Sequence, residues 1–233
     1  MISDEIILSV SNLSVTFQKQ AILSNINFAI KKGVTLAIIG PNGAGKSVLL
    51  RALLNLVPYS GEIKWGEKVK IGFVPQIVAF RDIPISVNEF LAIKRGAKPP
   101  EALRAVGLDE GILKKSLGVL SGGQLRRVLI AWAIKDRPSV LLFDEPTTGV
   151  DIDSEEAIYD MLRQLTHLDD ITLILISHNR HIVRDYSDFV LAIDGCVQFF
   201  GESKEVMNPE LADKLYREEH ACPVELPAGG PHG

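Results

Sequence analysis

The chain has 233 residues, a formal net charge of −4, 46% hydrophobic residues and 23% charged residues. This is an ordinary globular balance over a length that buries a substantial core, so neither disorder nor a disulfide-stapled miniprotein is indicated. The acidic balance excludes the global basic field of a nucleic-acid binder, and no apolar run approaches the roughly 20 residues needed to span a bilayer.

The opening MISDEIILSV lacks the basic and apolar regions of a secretory signal, and the two cysteines, Cys196 and Cys222, suit a reducing compartment. The chain is therefore expected to be soluble, with any membrane spanning left to other subunits. In chain order, Ile6–Val10, Leu13–Phe17 and Ile26–Ile30 read as short β-branched strands separated by polar turns. Val34–Ile39 runs apolar into GPNGAGKS and the helix-like VLLRALLNLV, and Glu62–Trp65 and Val69–Val74 supply two further strands. Ser86–Lys94 reads as a helix opened by a Ser86-x-x-Glu89 capping box. Pro99-Pro100 breaks the chain, Glu101–Val106 starts a second helix, and Gly122–Lys135 is a third. Val140–Asp144 is a buried strand, Ser154–His167 a helix, Ile171–Ser177 a strand, Arg180–Tyr186 a short helix and Phe189–Ile193 a strand. Such alternation predicts a mainly parallel α/β sheet. Beyond Gly201 the expectation is one or two small helices and a frayed Pro/Gly-rich tail.

Gly40-Pro41-Asn42-Gly43-Ala44-Gly45-Lys46-Ser47 matches the phosphate-binding P-loop pattern. Its glycines let several backbone N–H groups converge on one anion, and the following helix adds its positive end. Lys46 brings a charge to the β- and γ-phosphates, and the Ser47 hydroxyl can ligate Mg²⁺. A plain Gly-rich turn is the competing reading, but the apolar strand before it and the helix after it favour phosphate. Val140–Phe143 ends in Asp144 and Glu145, at the strand end where open α/β sheets bind ligands. There Asp144 can hold Mg²⁺, mostly through water, and Glu145 can polarise an attacking water. Strand-end acids are common, and the P-loop is what makes this pair informative. Leu120-Ser121-Gly122-Gly123-Gln124 opens a helix with Ser121 as a natural N-cap. Two glycines there expose N–H groups and make a second anion site. One nucleotide does not need two such sites in one chain, which is explained if this site serves another subunit's nucleotide.

These motifs, with Ser177-His178 after them, stand in the order of ABC-type ATPase domains, which residues 5–210 resemble. The resemblance implies a P-loop NTPase core with an N-terminal antiparallel β part and a helical insert. The core is then 1–75 and 136–201, the helical subdomain 76–135, and the C-terminal helices and tail 202–233. By motif, Phe17 resembles the aromatic that stacks on adenine, and Gln76 the switch glutamine that touches Mg²⁺ and couples to membrane subunits. Ser121, Gly122, Gly123 and Gln124 resemble the signature that grips the opposite monomer's γ-phosphate. Asp151 resembles the cross-dimer aspartate, and His178 the γ-phosphate-sensing histidine. Core packing on a strand is the competing reading for Phe17. Three positions depart from the pattern: Val48 replaces the usual threonine and weakens α-phosphate contact, Trp132 stands where arginine is usual, and Asn179 where aspartate is common.

The implied activity is hydrolysis of ATP with Mg²⁺. The segments Lys70–Gln76, Arg81–Val87 and Thr148–Asp151 are similar to the metal-ion class of ABC importers, and Asn55–Pro58 to zinc-uptake ATPases, with manganese and iron relatives close. The implied partners are a second copy of the chain, a polytopic membrane permease and, indirectly, a metal-binding extracytoplasmic protein, with no nucleic acid. The implied location is the cytoplasmic face of the membrane. A soluble ABC ATPase of cluster assembly or translation is the alternative; a non-catalytic nucleotide-binding module is disfavoured by the presence of Lys46, Asp144, Glu145 and His178. His220, Cys222 and His232 are too sparse for a standard zinc site and are read as an incidental tail.

Overall fold

A computed structural model describes residues 5–76, 83–145, 152–177 and 179–207. Two long strands, β1 (Ile6–Phe17) and β2 (Gln20–Lys31), form an antiparallel hairpin where three short strands were expected. The polar break at Ser11-Asn12, which suggested a turn, is a bulge inside β1, whereas the break expected after Phe17 does hold a turn. Asn12 and Asn25 adopt positive φ, and the register of β1 on β2 shifts between Val10 and Leu13. The true turn is at Gln18 and Lys19, both left-handed, as a two-residue hairpin loop requires.

β3 (Thr35–Ile39) leads through the P-loop into α1 (Lys46–Leu53). β4 (Ser60–Trp65) joins β1 and completes a three-stranded antiparallel sheet in the order β2-β1-β4. β5 (Ile71–Val74) then enters a second sheet. Three helices follow: α2 (Val87–Ile93), α3 (Pro99–Ala105) and α4 (Gly122–Ile134). α3 starts at Pro99, ahead of the expected Glu101, because prolines fit the first helical turn, where an N–H has no partner to lose. The chain returns through β6 (Val140–Phe143), α5 (Ile152–Asp169), β7 (Thr172–Ile176), α6 (Arg180–Tyr186), β8 (Phe189–Asp194) and β9 (Cys196–Glu202).

The second sheet runs β5-β6-β7-β3-β8-β9, parallel except for the antiparallel edge strand β9. β9 escaped the sequence reading because it follows β8 through a tight turn at Gly195, whose φ is +67. Alternation along each central strand divides the core in two. Leu36, Ile38, Leu142, Ile174 and Leu191 face α1 and the antiparallel sheet, whereas Ala37, Ile39, Phe143, Leu175 and Ala192 face the helices. Cys196 is disulfide-bonded, against the expectation of reduced thiols.

α2 and α4 meet closely. A Cβ on Gly96 would stand 2.2 Å from the Lys135 carbonyl oxygen, and the Lys135 ammonium donates to the carbonyls of Leu91 and Lys94 at the end of α2. Trp132, one of the departures from the family pattern, packs there: its ring lies 5.8 Å from Phe90, with the Lys94 ammonium 4.9 Å above it.

Candidate functional site

The sheet brings together at its C-terminal edge what the chain separates. β3 delivers the P-loop, β5 ends at Pro75-Gln76, β6 ends at Asp144-Glu145, and β7 ends at Ser177. These are neighbouring parallel strands, and after β7 the chain crosses β3 to continue as β8, so the loops diverge around a crevice.

The P-loop is seated by its glycines. Gly40 (φ +146) is so close to β8 that a Cβ would meet the Ile193 carbonyl oxygen at 2.0 Å. Gly45 (φ +92) packs on β2, where a Cβ would lie 2.6 Å from Leu23 Cδ2. Gly43 (φ +84) faces open space. Pro41 is half-buried, Asn42 exposed, and the buried Ala44 is fixed by the N–H of Gly195 donating to its carbonyl. No side chain caps α1, whose N-cap is the left-handed Gly45, so its first N–H groups remain available to an anion. Lys46 is buried, and its ammonium donates to the carbonyls of Gly40 (2.8 Å) and Pro41 (2.7 Å). Burial pushes its pKa down, opposed by the charges of Glu145, Asp144 and Asp194. Val48 is half-buried against the core beneath the loop.

The Ser47 hydroxyl donates to Asp144 Oδ1 at 2.9 Å. Burial raises the Asp144 pKa, the Ser47 bond opposes this, and neighbouring Glu145 raises it further. Two hard oxygen donors thus meet at the foot of the P-loop, a donor set suited to Mg²⁺, which takes its other ligands from water and phosphate. Glu145 has a left-handed backbone (φ +51), and its carboxylate accepts from the Gln76 side-chain amide. Gln76 thus bonds to the expected base.

Phe17 lies at the hairpin tip and is 65% exposed, which excludes core packing and leaves its ring free to stack. Ser121 and Gly122 are exposed and Gly123 is buried. Ser121 Oγ accepts from the Gln124 N–H, and Gln124 Oε1 accepts from the Ser121 N–H, so the expected cap is a full capping box. Asn179 caps α6 through Oδ1, accepting from the His181 N–H, a role aspartate could also fill. Asp151, His178 and the tail residues His220, Cys222 and His232 lie outside the described residues.

Arg126 is a residue that motif reading missed. It is 4% exposed, and its guanidinium donates to the Pro75 carbonyl (2.6 Å), the Asp144 carbonyl (3.3 Å) and the Glu145 carbonyl. Burial lowers its pKa to about 10, against the opposing influence of Tyr159, Asp144 and Glu145, so it stays charged at neutral pH. A signal was present in the sequence: Gly123, Arg126, Ile130 and Ala133 share the buried face of α4 at helical spacing.

A family profile described as ABC transporter matches residues 23–148, and a shorter one, an AAA domain described as putative AbiEii toxin of a type IV toxin–antitoxin system, matches 113–184. The chain is 38% identical over 210 residues to the zinc import ATP-binding protein ZnuC of Haemophilus ducreyi, covering 88% of this chain and 80% of that protein. Among solved structures it resembles a putative metal-chelate type ABC transporter in an inward-facing conformation. The TM-score is 0.80 and the identity 28%, covering 91% of this chain and 89% of that one. It also resembles the dimeric structure of MJ0796, a bacterial ABC transporter cassette, with a TM-score of 0.73 and 27% identity, covering 84% and 98%. With a profile over more than half of its length and 38% identity across most of it, the chain belongs to the ABC transporter family and is its Mg-ATP-hydrolysing domain.

Proposed function

We propose that this chain powers import of a divalent metal ion, zinc foremost, as a head-to-tail homodimer beneath a polytopic permease on the cytoplasmic face of the membrane. The observation that carries the chemistry is the Ser47–Asp144 contact at the foot of the P-loop with Glu145 beside it. Support for the cargo comes from the 38% identity to a zinc import ATP-binding protein. Among the described residues no helix is long and apolar enough to cross a membrane, and no group of three metal-ligating side chains is present. The transported ion in this reading never meets the chain.

In the mechanism we assign, Lys46 and the N–H groups of Gly43–Ser47 hold the phosphates, and Phe17 stacks on the adenine. Asn42, Pro41 and Gly40 shape the loop, with Val48 behind it. Ser47, Asp144 and Gln76 would hold Mg²⁺, which would neutralise phosphate charge. Phosphoryl transfer to water needs a positioned nucleophile and electrostatic stabilisation rather than covalent help. Glu145 orients and polarises the water, and His178 contacts the γ-phosphate. Ser121, Gly122, Gly123 and Gln124 of one copy close on the nucleotide of the other, with Asp151 at the seam. Residues 76–135 form the helical subdomain on the 1–75 and 136–201 core, with 202–233 as C-terminal appendage, and Gln76 reports nucleotide state to the permease.

Proteoliposomes holding the chain with the membrane subunit that co-purifies with it test this reading. The expected result is ATP-dependent accumulation of radiolabelled zinc in preference to manganese or iron. ATP hydrolysis without uptake of any of the three, or with no membrane subunit retained, would favour the soluble-ATPase alternative.

A further inference from the structure

α4 carries two features on successive turns. Its N-cap is Ser121, exposed at the start of the signature. Arg126 follows about 7–8 Å further along the axis, buried on the sheet side. The guanidinium is a rigid fork of N–H donors. One nitrogen donates to Pro75, the residue before Gln76 at the end of β5, and the other donates to both Asp144 and Glu145 at the end of β6. The side chain thus ties adjacent strand ends to one helix. Glu145 sits in a left-handed conformation that is unfavourable for a non-glycine residue, and the Arg126 bond fixes its carbonyl. The Gln76 amide engages its carboxylate from the other strand end.

We propose that Arg126 is a positioning residue that sets the Glu145 carboxylate and links it to the opposite nucleotide. α4 is gripped at Ser121 by the second copy's phosphates, and Arg126 carries the helix position to the strand ends that aim Glu145 and Gln76. Each site then acquires a correctly aimed base only when the other is filled. This rests on the assignments of Glu145 as base and Ser121 as a contact to the partner's nucleotide. The guanidinium acts here through the backbone carbonyls of Pro75, Asp144 and Glu145, so the contribution proposed for it is geometric. A displacement near 1 Å at a reacting group costs up to about 100-fold in rate.

The test compares the full-length wild type with Arg126→Met, which keeps length and removes every donor, Arg126→Lys, which offers one nitrogen in place of the fork, and Glu145→Gln. Turnover, KM for ATP, equilibrium ATP binding, the Hill coefficient and thermal stability are measured. Arg126→Met should lose about 10- to 100-fold in kcat while KM and ATP binding stay within about threefold, with the Hill coefficient falling towards unity. Arg126→Lys should recover part of kcat. If Arg126→Met does not fold, Arg126→Lys carries the test through the same split between kcat and KM. Wild-type turnover and cooperativity in a folded variant, or parallel loss of binding and turnover, would overturn the proposal. If Glu145→Gln itself turns over at the wild-type rate, the base assignment is wrong; if Glu145→Gln is dead and both Arg126 variants are normal, only the positioning role fails.

Discussion

A methyl group at Gly40 would collide with the backbone of β8, whereas one at Gly43 would meet nothing within 4 Å. Both glycines have positive φ, so both substitutions strain the backbone, by about 1–3 kcal/mol. Gly40→Ala must in addition displace the Ile193 carbonyl from its strand. We therefore expect Gly40→Ala to lower Tm by more than about 4 °C and Gly43→Ala by clearly less, measured by thermal unfolding without nucleotide. Equal losses would mean that the loop is not seated on β8 as described. At this scale the placement of the candidate residues was legible, because Lys46 and Ser47 open the helix after β3 and Asp144 and Glu145 follow β6, chemical types at fixed offsets from strand ends. For Arg126 only its burial could be read, from its place on the inner face of α4; its partners are backbone carbonyls, which no residue type announces. The exposure of Phe17 was equally undecidable, since an aromatic at a strand end reads the same buried or free.

The helices were read well where side chains write their own boundaries. Ser86 and Glu89 announce the start of α2, and both bonds of the box are present: the Glu89 N–H donates to Ser86 Oγ, and the Ser86 N–H donates to Glu89 Oε2. Ser86 Oγ also donates to that carboxylate at 2.6 Å, and the Ser86 hydroxyl and N–H together hold the Glu89 pKa below its usual range. A depressed carboxylate stabilises the fold above its unfolded pKa, and that contribution disappears as pH falls through the folded value. Ser86→Ala should thus lower Tm at neutral pH by about 2–4 °C, the scale of a lost helix cap. The gap to wild type should narrow below the ordinary glutamate range; a gap unchanged from neutral to acid pH would deny the box its charge. The strands were read less well. Asn12 and Asn25 interrupt alternation as turn residues do, and nothing local distinguishes a bulge inside a long strand from a turn between two short ones.

For the whole molecule, the class of sheet could be inferred but its order could not. β3 pairs with β7 and β8, partners far along the chain, and parallel pairing leaves no turn to mark it. The proposed dimer poses the same problem one level up, because a composite site would join the P-loop of one copy to the signature of another. Ser121 and Gly122 are exposed at the mouth of α4, which suits that arrangement. The most direct measurement uses two chains, Lys46→Ala and Ser121→Arg, each also carrying Glu145→Gln so that bound ATP is not consumed. In either homodimer both composite sites are damaged. In the mixed dimer both lesions fall in one site and the other is intact, so it should trap about one ATP per dimer while each homodimer traps far less, because an anion site without its charge or N–H access does not offset phosphate desolvation. If the mixture traps no more ATP than either homodimer alone, the two motifs do not share a nucleotide and the head-to-tail engine is contradicted.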